Sequence, residues 1–331
     1  MDIDSVGIIG GGAWGTALAQ AMRHAGRDVM LWAREADIVG SVNERHVNET
    51  FLPGVTLDAG IRATSKLTEV ATCDALLLVA PAQHVRSVAK ALRPSLRRGQ
   101  PVVICAKGLE QASGKMMGDI VEAELPEAIH AALSGPSFAA DVARGLPTAL
   151  TIACADETVG RLLAERLGSP KFRLYWTSDL VGVELGGALK NVLAIAAGIV
   201  DGQGLGASAH AALVTRGFAE MRRFGKALGA RPETLIGLSG LGDLILTCGS
   251  PQSRNMSLGR ALGRGETLSQ ALAGKLAVTE GVYTATAVCR LAEEKGIDMP
   301  ISKAVCDVID GRVGVKAAIE QLMLRPLKAE D

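Results

Sequence analysis

Near the start of the chain a short apolar run, Val6-Gly7-Ile8-Ile9, leads directly into Gly10-Gly11-Gly12-Ala13-Trp14-Gly15-Thr16-Ala17-Leu18-Ala19. The first segment reads as a β-strand, and Gly12 to Ala25 reads as a helix. A strand, a glycine turn and a helix in that order form the context of a dinucleotide-binding fingerprint. Gly10 allows the tight turn, Gly12 lets backbone approach a pyrophosphate, and Gly15 lets helix and strand pack closely. Amide groups at the helix start then face the phosphates, and the helix dipole favours their charge. A packing turn without a ligand would use the same glycines. Its placement after the first strand favours the nucleotide reading.

The chain has 331 residues, enough for two domains of ordinary size. Lys+Arg and Asp+Glu both count 35, so neither nucleic acid nor an anionic membrane surface is indicated as a partner. Apolar residues make up 48%, enough for a sizeable core without covalent staples. Six cysteines, Cys73, Cys105, Cys154, Cys248, Cys289 and Cys306, form no C-x-x-C pair and have no histidine at ligand spacing. Reduced, buried thiols are expected, with no disulfide framework and no metal site. Asp2 and Asp4 precede the first strand, so no basic, apolar leader is present and a cytoplasmic location is expected.

The first half alternates apolar runs with helical patterns. Val29–Trp32, Ala75–Ala80 and Val102–Ala106 are unbroken apolar runs, as suits parallel strands buried on both faces. Further strands are predicted at Ala131–Leu133, Thr148–Ala153 and Phe172–Trp176, with helices near His84–Leu92 and Gly114–Ala123. From about Asp179 the character changes. Leu180–Val200, His210–Leu228, Ser257–Leu262, Thr284–Lys295, Ser302–Ile309 and Val315–Leu324 all read as helices, with Asp179 as a cap and Gly229 and Gly296 as stops. The fold class expected is α/β: a Rossmann-like doubly wound sheet over residues 1–179, then a second, all-helical domain over 180–331. Leu180–Val200 could pass for a membrane span, but Glu184, Lys190 and Asn191 inside it argue against insertion.

Lys190 stands out among the charges. It lies in Gly186-Gly187-Ala188-Leu189-Lys190-Asn191, among small and apolar residues. Gly187, Lys190 and Asn191 share one helix face. A buried lysine is costly unless paired, and burial moves it toward an acid/base-capable state. Its bland alternative is a snorkelling core lysine. Asp243, in Gly240-Leu241-Gly242-Asp243-Leu244, is a plausible carboxylate partner or a helix cap, or both. Lys107 follows a strand, where doubly wound sheets bind ligands, and Ser134-Gly135-Pro136-Ser137-Phe138 sits likewise after a strand. In Ser253-Arg254-Asn255, Arg254 could fork onto a phosphate or stand as a solvated surface charge. The second strand ends at Leu31-Trp32-Ala33-Arg34, with an arginine where the ribose-binding acid is expected. This favours the NADP form, while Glu35 and Asp37 nearby keep NAD in play. The five histidines show no pairing pattern.

These blocks, with Ala106-Lys107-Gly108-Leu109-Glu110 and Glu280-Gly281, occur in one order along nearly the whole chain. Together they resemble the bacterial NAD(P)-dependent glycerol-3-phosphate dehydrogenases. The resemblance implies reduction of dihydroxyacetone phosphate to sn-glycerol 3-phosphate, a glycerophospholipid precursor, with NADP(H) or NAD(H), no metal, and a homodimer. It implies Lys190 as catalytic acid/base and Asp243 as the group that orients it. Lys107, Gly135, Ser137, Asn191, Ser253, Arg254 and Asn255 would bind substrate. Gly10, Gly12, Ala13, Trp14, Gly15, Arg34 and Lys107 would contact the cofactor, with Ala139, Arg254, Val278 and Glu280 at its far side. The chain departs from the family pattern just after Glu280-Gly281, where Val282 and Tyr283 stand. Two rivals remain at this level. One is a related Rossmann β-hydroxyacid dehydrogenase acting on a carboxylate substrate. The other is a nucleotide-sensing protein without turnover, against which intact Lys190 and Asp243 argue.

Overall fold

The computed structural model describes residues 2–274 and 278–326. Ten strands precede residue 179: β1 (Ser5–Ile9), β2 (Asp28–Trp32), β3 (Val47–Asn48), β4 (Leu52–Thr56), β5 (Ile61–Thr64), β6 (Ala75–Leu78), β7 (Pro101–Ile104), β8 (Ile129–Ser134), β9 (Thr148–Cys154) and β10 (Phe172–Thr177). Eight of them form one sheet in the order β10-β9-β8-β7-β6-β1-β2-β5. The run from β5 to β8 is parallel throughout, and β9 pairs antiparallel to β8. That run has the order of a dinucleotide-binding doubly wound sheet. The unbroken apolar sequences follow from burial on both faces. In β6 Ala75 and Leu77 join the core on one side, and Leu76 and Leu78 join the core on the other.

The strand order reverses between β1 and β6, which run parallel, and a crevice opens at their carboxyl ends. The glycine turn lies there. Gly10 has φ +137°, and a Cβ on it would stand 2.9 Å from the Val79 carbonyl carbon. A Cβ on Gly15 would collide with the Gly10 carbonyl. Both positions therefore require glycine, one for backbone conformation and one for close packing.

After β10 ends at Thr177 the described residues form helices only. Leu180–Gly202 is the axis of this region, with Asp179 capping its start by accepting a hydrogen bond from Gly182 N at 2.9 Å. The helix is long and apolar enough to cross a membrane, but its apolar window is wholly buried inside the protein. Helix Arg254–Gly263 packs across it with almost no side chain between the two. A Cβ on Gly259 would come within 2.9 Å of Gly198 Cα, and one on Gly263 within 3.0 Å of Gly202 Cα. The flanking helices are Gly206–Leu228, Glu280–Glu294, Pro300–Ile309 and Val315–Met323.

Several elements differ from the pattern read in sequence. Segment 47–64 holds the β3–β4 hairpin and β5, none of which was predicted. β3 and β4 show neither an unbroken apolar run nor an alternation, Pro53 and Gly54 interrupting β4, and β5, Ile61-Arg62-Ala63-Thr64, alternates over only four residues. The helix predicted at Gly114–Ala123 begins at Met117, because Gly114 has φ +71° and cannot continue a helix comfortably. Leu238–Gly242 forms a π-turn leading into helix Asp243–Gly249, a segment that the hydrophobic period did not reveal.

Candidate active site

Lys190 and Asp243 meet because two glycines let their backbones touch. A Cβ on Gly186 would lie 2.9 Å from Gly240 Cα, so the core helix and the π-turn pack backbone to backbone. Asp243 follows that turn and is completely buried. Lys190 Nζ donates to Asp243 Oδ1 at 2.6 Å and to Thr247 Oγ1 at 3.0 Å. Lys107 Nζ donates to Asp243 Oδ2 at 2.8 Å and to the Gly135 carbonyl at 3.2 Å. One carboxylate thus holds two ammonium groups, one per oxygen.

Burial would push the Asp243 carboxyl up, but Lys107 and Lys190 outweigh it and hold it below the usual carboxylate range. Lys190 moves the other way. Burial lowers it, Lys107 adds repulsion, and Asp243 only partly restores it, leaving it at about 8. A lysine poised there carries a proton at neutral pH and can release it, as a general acid/base requires. Cys248, next to Thr247, is pushed up to about 12 by burial and is not a nucleophile.

The remaining predicted residues surround this centre. Ser137 Oγ donates to the Gly135 carbonyl at 3.1 Å, and Gly135 itself has φ +150°. Asn191 Oδ1 accepts from Asn255 Nδ2 at 2.9 Å, and Asn255 Oδ1 accepts from Gly281 N at 3.0 Å. Asn255 therefore ties the core helix to helix Glu280–Glu294. Ser253 is buried, and its Oγ accepts from Met256 N at 3.2 Å as the cap of helix Arg254–Gly263. Arg254, the first residue of that helix, is exposed and makes no ion pair among the described residues. Glu280 joins the two regions, with Oε1 accepting from Ala82 N at 3.1 Å across 198 residues. Its other oxygen is buried without a partner, and burial raises its carboxyl despite Arg254 nearby.

At the glycine turn the geometry suits an anionic ligand. Helix Ala13–His24 has no side-chain cap and no acidic residue in its first turn, so its leading amides are free to donate. Space beside Gly12 is open. Trp14 Nε1 is buried without a partner, the kind of orphaned donor a bound ligand satisfies. Ala139 packs on the same core as Ala13 and Trp14, and Val278 is half-buried at the approach to Glu280. The residues present fit a dinucleotide. Arg34 lies apart from the charge centre; its side chain is 78% exposed and bound to Glu35 at 2.9 Å.

Two contributors escaped sequence reasoning. Thr247, one turn beyond Asp243, carried no signal as a lone hydroxyl in an apolar run. Asn48 on β3 is fully buried and donates to Gly11 O at 2.9 Å and Thr16 Oγ1 at 2.7 Å, bracing the glycine turn from a distant segment.

Comparison with known proteins gives concordant results. The family signature described as NAD-dependent glycerol-3-phosphate dehydrogenase N-terminus matches residues 5–160, and its C-terminus counterpart matches residues 179–320. The glycerol-3-phosphate dehydrogenase [NAD(P)+] of Caulobacter vibrioides is 57% identical over 330 residues, covering 100% of both chains. That of Maricaulis maris is 56% identical over 99% of both. The crystal structure of glycerol-3-phosphate dehydrogenase from Coxiella burnetii superposes with a TM-score of 0.93 at 36% identity, covering 98% of this chain and 99% of that one.

Proposed function

The chain belongs to the NAD-dependent glycerol-3-phosphate dehydrogenase family, and from that premise we propose that Lys190 is the proton donor and acceptor of its reaction. The enzyme is an NAD(P)-dependent oxidoreductase that interconverts dihydroxyacetone phosphate and sn-glycerol 3-phosphate. The observation that carries the catalytic reading is Asp243 shared between two ammonium groups in a water-poor pocket. The nicotinamide cofactor, when bound, supplies or accepts the hydride at the substrate's C2. Lys190 gives its proton to the oxygen on that carbon as negative charge develops there. Asp243 fixes the ammonium's direction and offsets its burial. Lys107 keeps a second positive charge on the substrate side, and its bond to Gly135 holds the Gly135–Ser137 loop in place.

In this reading Arg254 forks onto the substrate phosphate, and Ser253 and Asn255 present it, one as a helix cap and the other as a clamp. Asn191 holds a substrate hydroxyl. Gly10, Gly12, Ala13, Trp14 and Gly15 seat the pyrophosphate end of the cofactor, Arg34 reaches the adenosine ribose, and Ala139, Val278 and Glu280 border its far side. Residues 1–179 form the cofactor domain and 180–331 the substrate domain. A cytoplasmic homodimer feeding glycerophospholipid synthesis completes the proposal. The decisive assay follows NADPH absorbance with dihydroxyacetone phosphate, with short 2-keto acids, and with no ketone. Turnover confined to the phosphate substrate is expected, and turnover on keto acids alone overturns the reading.

A further inference from the structure

Two of the six cysteines meet across a helix hairpin, and the reaction uses neither of them. Helix Glu280–Glu294 turns through Lys295–Met299 into helix Pro300–Ile309, and the two helices pack on each other. Cys289 lies five residues before the end of the first helix, and Cys306 lies six residues after the start of the second. The turn therefore sets them at about the same level. Their contacts agree. Cys289 Sγ donates to the Ser302 carbonyl at 3.4 Å, one turn before Cys306 on the facing helix. The two thiols also hydrogen-bond to each other. Arg312, just past the second helix, donates from Nη2 to Cys306 Sγ at 3.5 Å, and Cys306 Sγ donates to Asp310 Oδ2 at 3.7 Å. Cys306 is buried, but the Asp310 and Arg312 side chains lying against it are exposed, and Cys289 is only half-buried. None of the other four cysteines bonds to a second thiol among the described residues, and burial raises all four.

We infer that Cys289 and Cys306 form a redox-active dithiol, which a hydroperoxide converts into a disulfide across the hairpin. Cys306 is the attacking sulfur. The bond from the Cys289 thiol lowers it and Arg312 adds to that, against burial and the Asp310 carboxylate, leaving it at about 7. The same bond raises Cys289, which keeps its proton. With hydrogen peroxide as oxidant, the Cys306 thiolate attacks one peroxide oxygen and the O–O bond breaks. Hydroxide leaves and takes up the proton that the Cys306 thiol released, giving water and a sulfenic acid on Cys306. The Cys289 sulfur then attacks the Cys306 sulfur and the S–O bond breaks. The Cys289 proton joins the departing hydroxide as a second water. Each sulfur gives up one electron, and the peroxide takes both. A resolving thiol already in place stops oxidation at a bridge that reductant can reopen, ahead of the irreversible sulfinic acid. Thiols that rest reduced and pair only on oxidant exposure suit a reducing compartment.

The test treats the reduced full-length protein, freed of reductant, with a few equivalents of hydrogen peroxide at neutral pH. Thiols titrated after unfolding should fall from six to four, and the intact mass should drop by two hydrogens. Trypsin cuts after Arg290 and Lys303, so the bridge should appear as one crosslinked pair of peptides that dithiothreitol separates. Cys289→Ser should instead carry Cys306 on to sulfinic acid, which dithiothreitol does not restore. Arg312→Ala should slow bridge formation about threefold or more, because it removes a positive charge from the attacking sulfur. An unchanged rate in that variant would overturn the choice of Cys306 as the attacking sulfur. Six thiols persisting in the treated wild type, or oxidation of another cysteine ahead of this pair, overturns the inference whether or not any variant folds. Neither result bears on the assignment of the reaction, which is read by a separate assay.

Discussion

The glycine turn and the two-lysine centre solve opposite problems. At the turn the useful groups are backbone amides, all from one contiguous stretch, and side chains matter mainly by being absent. A Cβ at Gly15 has nowhere to go. At the centre the useful groups are side-chain charges drawn from segments far apart. Lys190 and Asp243 are separated by 53 residues, and Lys107 and Asp243 by 136. The contrast teaches that a helix start with free amides can be written locally, whereas shifting a lysine's proton affinity needs neighbours that only a folded core provides. Desolvation, the largest influence on Lys190, comes from the whole packed region.

That contrast breaks most sharply at Lys190. Lys190→Ala should lower turnover by about 10²- to 10⁴-fold, the range of general acid catalysis, while cofactor binding measured by fluorescence titration stays nearly intact. Turnover within about tenfold of the parent would mean that the centre is structural.

The next effect lies at the turn. In Gly15→Ala a methyl group is forced against the Gly10 carbonyl, and relief by backbone shift should cost about 1–3 kcal/mol. Cofactor dissociation constants should rise together for NADH and NADPH, with kcat at saturating cofactor little changed. Asn48→Ala should act the same way and more mildly, about 1 kcal/mol, because it removes a brace from the turn and not a contact with the ligand. A drop in melting temperature with unchanged cofactor affinity would show that Asn48 supports only the fold.

Arg254→Ala tests a group that stands between the two kinds of site. Loss of a charge-assisted hydrogen bond of roughly 1.5–3 kcal/mol should raise the Michaelis constant for dihydroxyacetone phosphate about ten- to a hundredfold. Unphosphorylated dihydroxyacetone should be little affected. Equal losses on both would place the residue elsewhere.

The pH response sharpens the comparison without any mutation. Lys190 is protonated below about 8, so ketone reduction should be flat at neutral pH and fall as pH rises through that value. Alcohol oxidation, which needs the neutral amine, should rise across the same interval. A limb set elsewhere would show that burial of Lys190 does not control the chemistry.

The smallest effect is expected at Arg34. Its exposure and its bond to Glu35 weaken what it can offer a 2′-phosphate, so NADPH should be preferred by no more than about tenfold. Arg34→Ala should narrow that ratio, as should added salt. A ratio unmoved by the substitution transfers ribose recognition to Glu35, Asp37 or another residue.

Much of this protein could be read before it was seen folded. The central parallel strands were legible because burial on both faces makes them unbroken apolar words, as in Leu76-Leu77-Leu78. The core helix and its cap at Asp179 were legible because composition and capping chemistry are local. The β3–β4 hairpin was not, since Val47-Asn48 and Leu52-Pro53-Gly54-Val55-Thr56 form neither an apolar run nor an alternation, and with it went Asn48. Thr247 was invisible as a partner for a related reason. A threonine in a helix becomes part of a site only when another element closes over it.

By itself, then, the order of residues determined the architecture and the glycine turn. Strand runs, glycines and caps act through steric and hydrogen-bond rules that reach only a few positions along the chain. The tertiary structure alone decided which carboxylate each lysine meets and how far burial shifts it. Glycine-to-backbone contacts at Gly186 and Gly240 bring Lys190 onto Asp243, and the energy of a charge depends on everything packed around it, not on its neighbours in sequence.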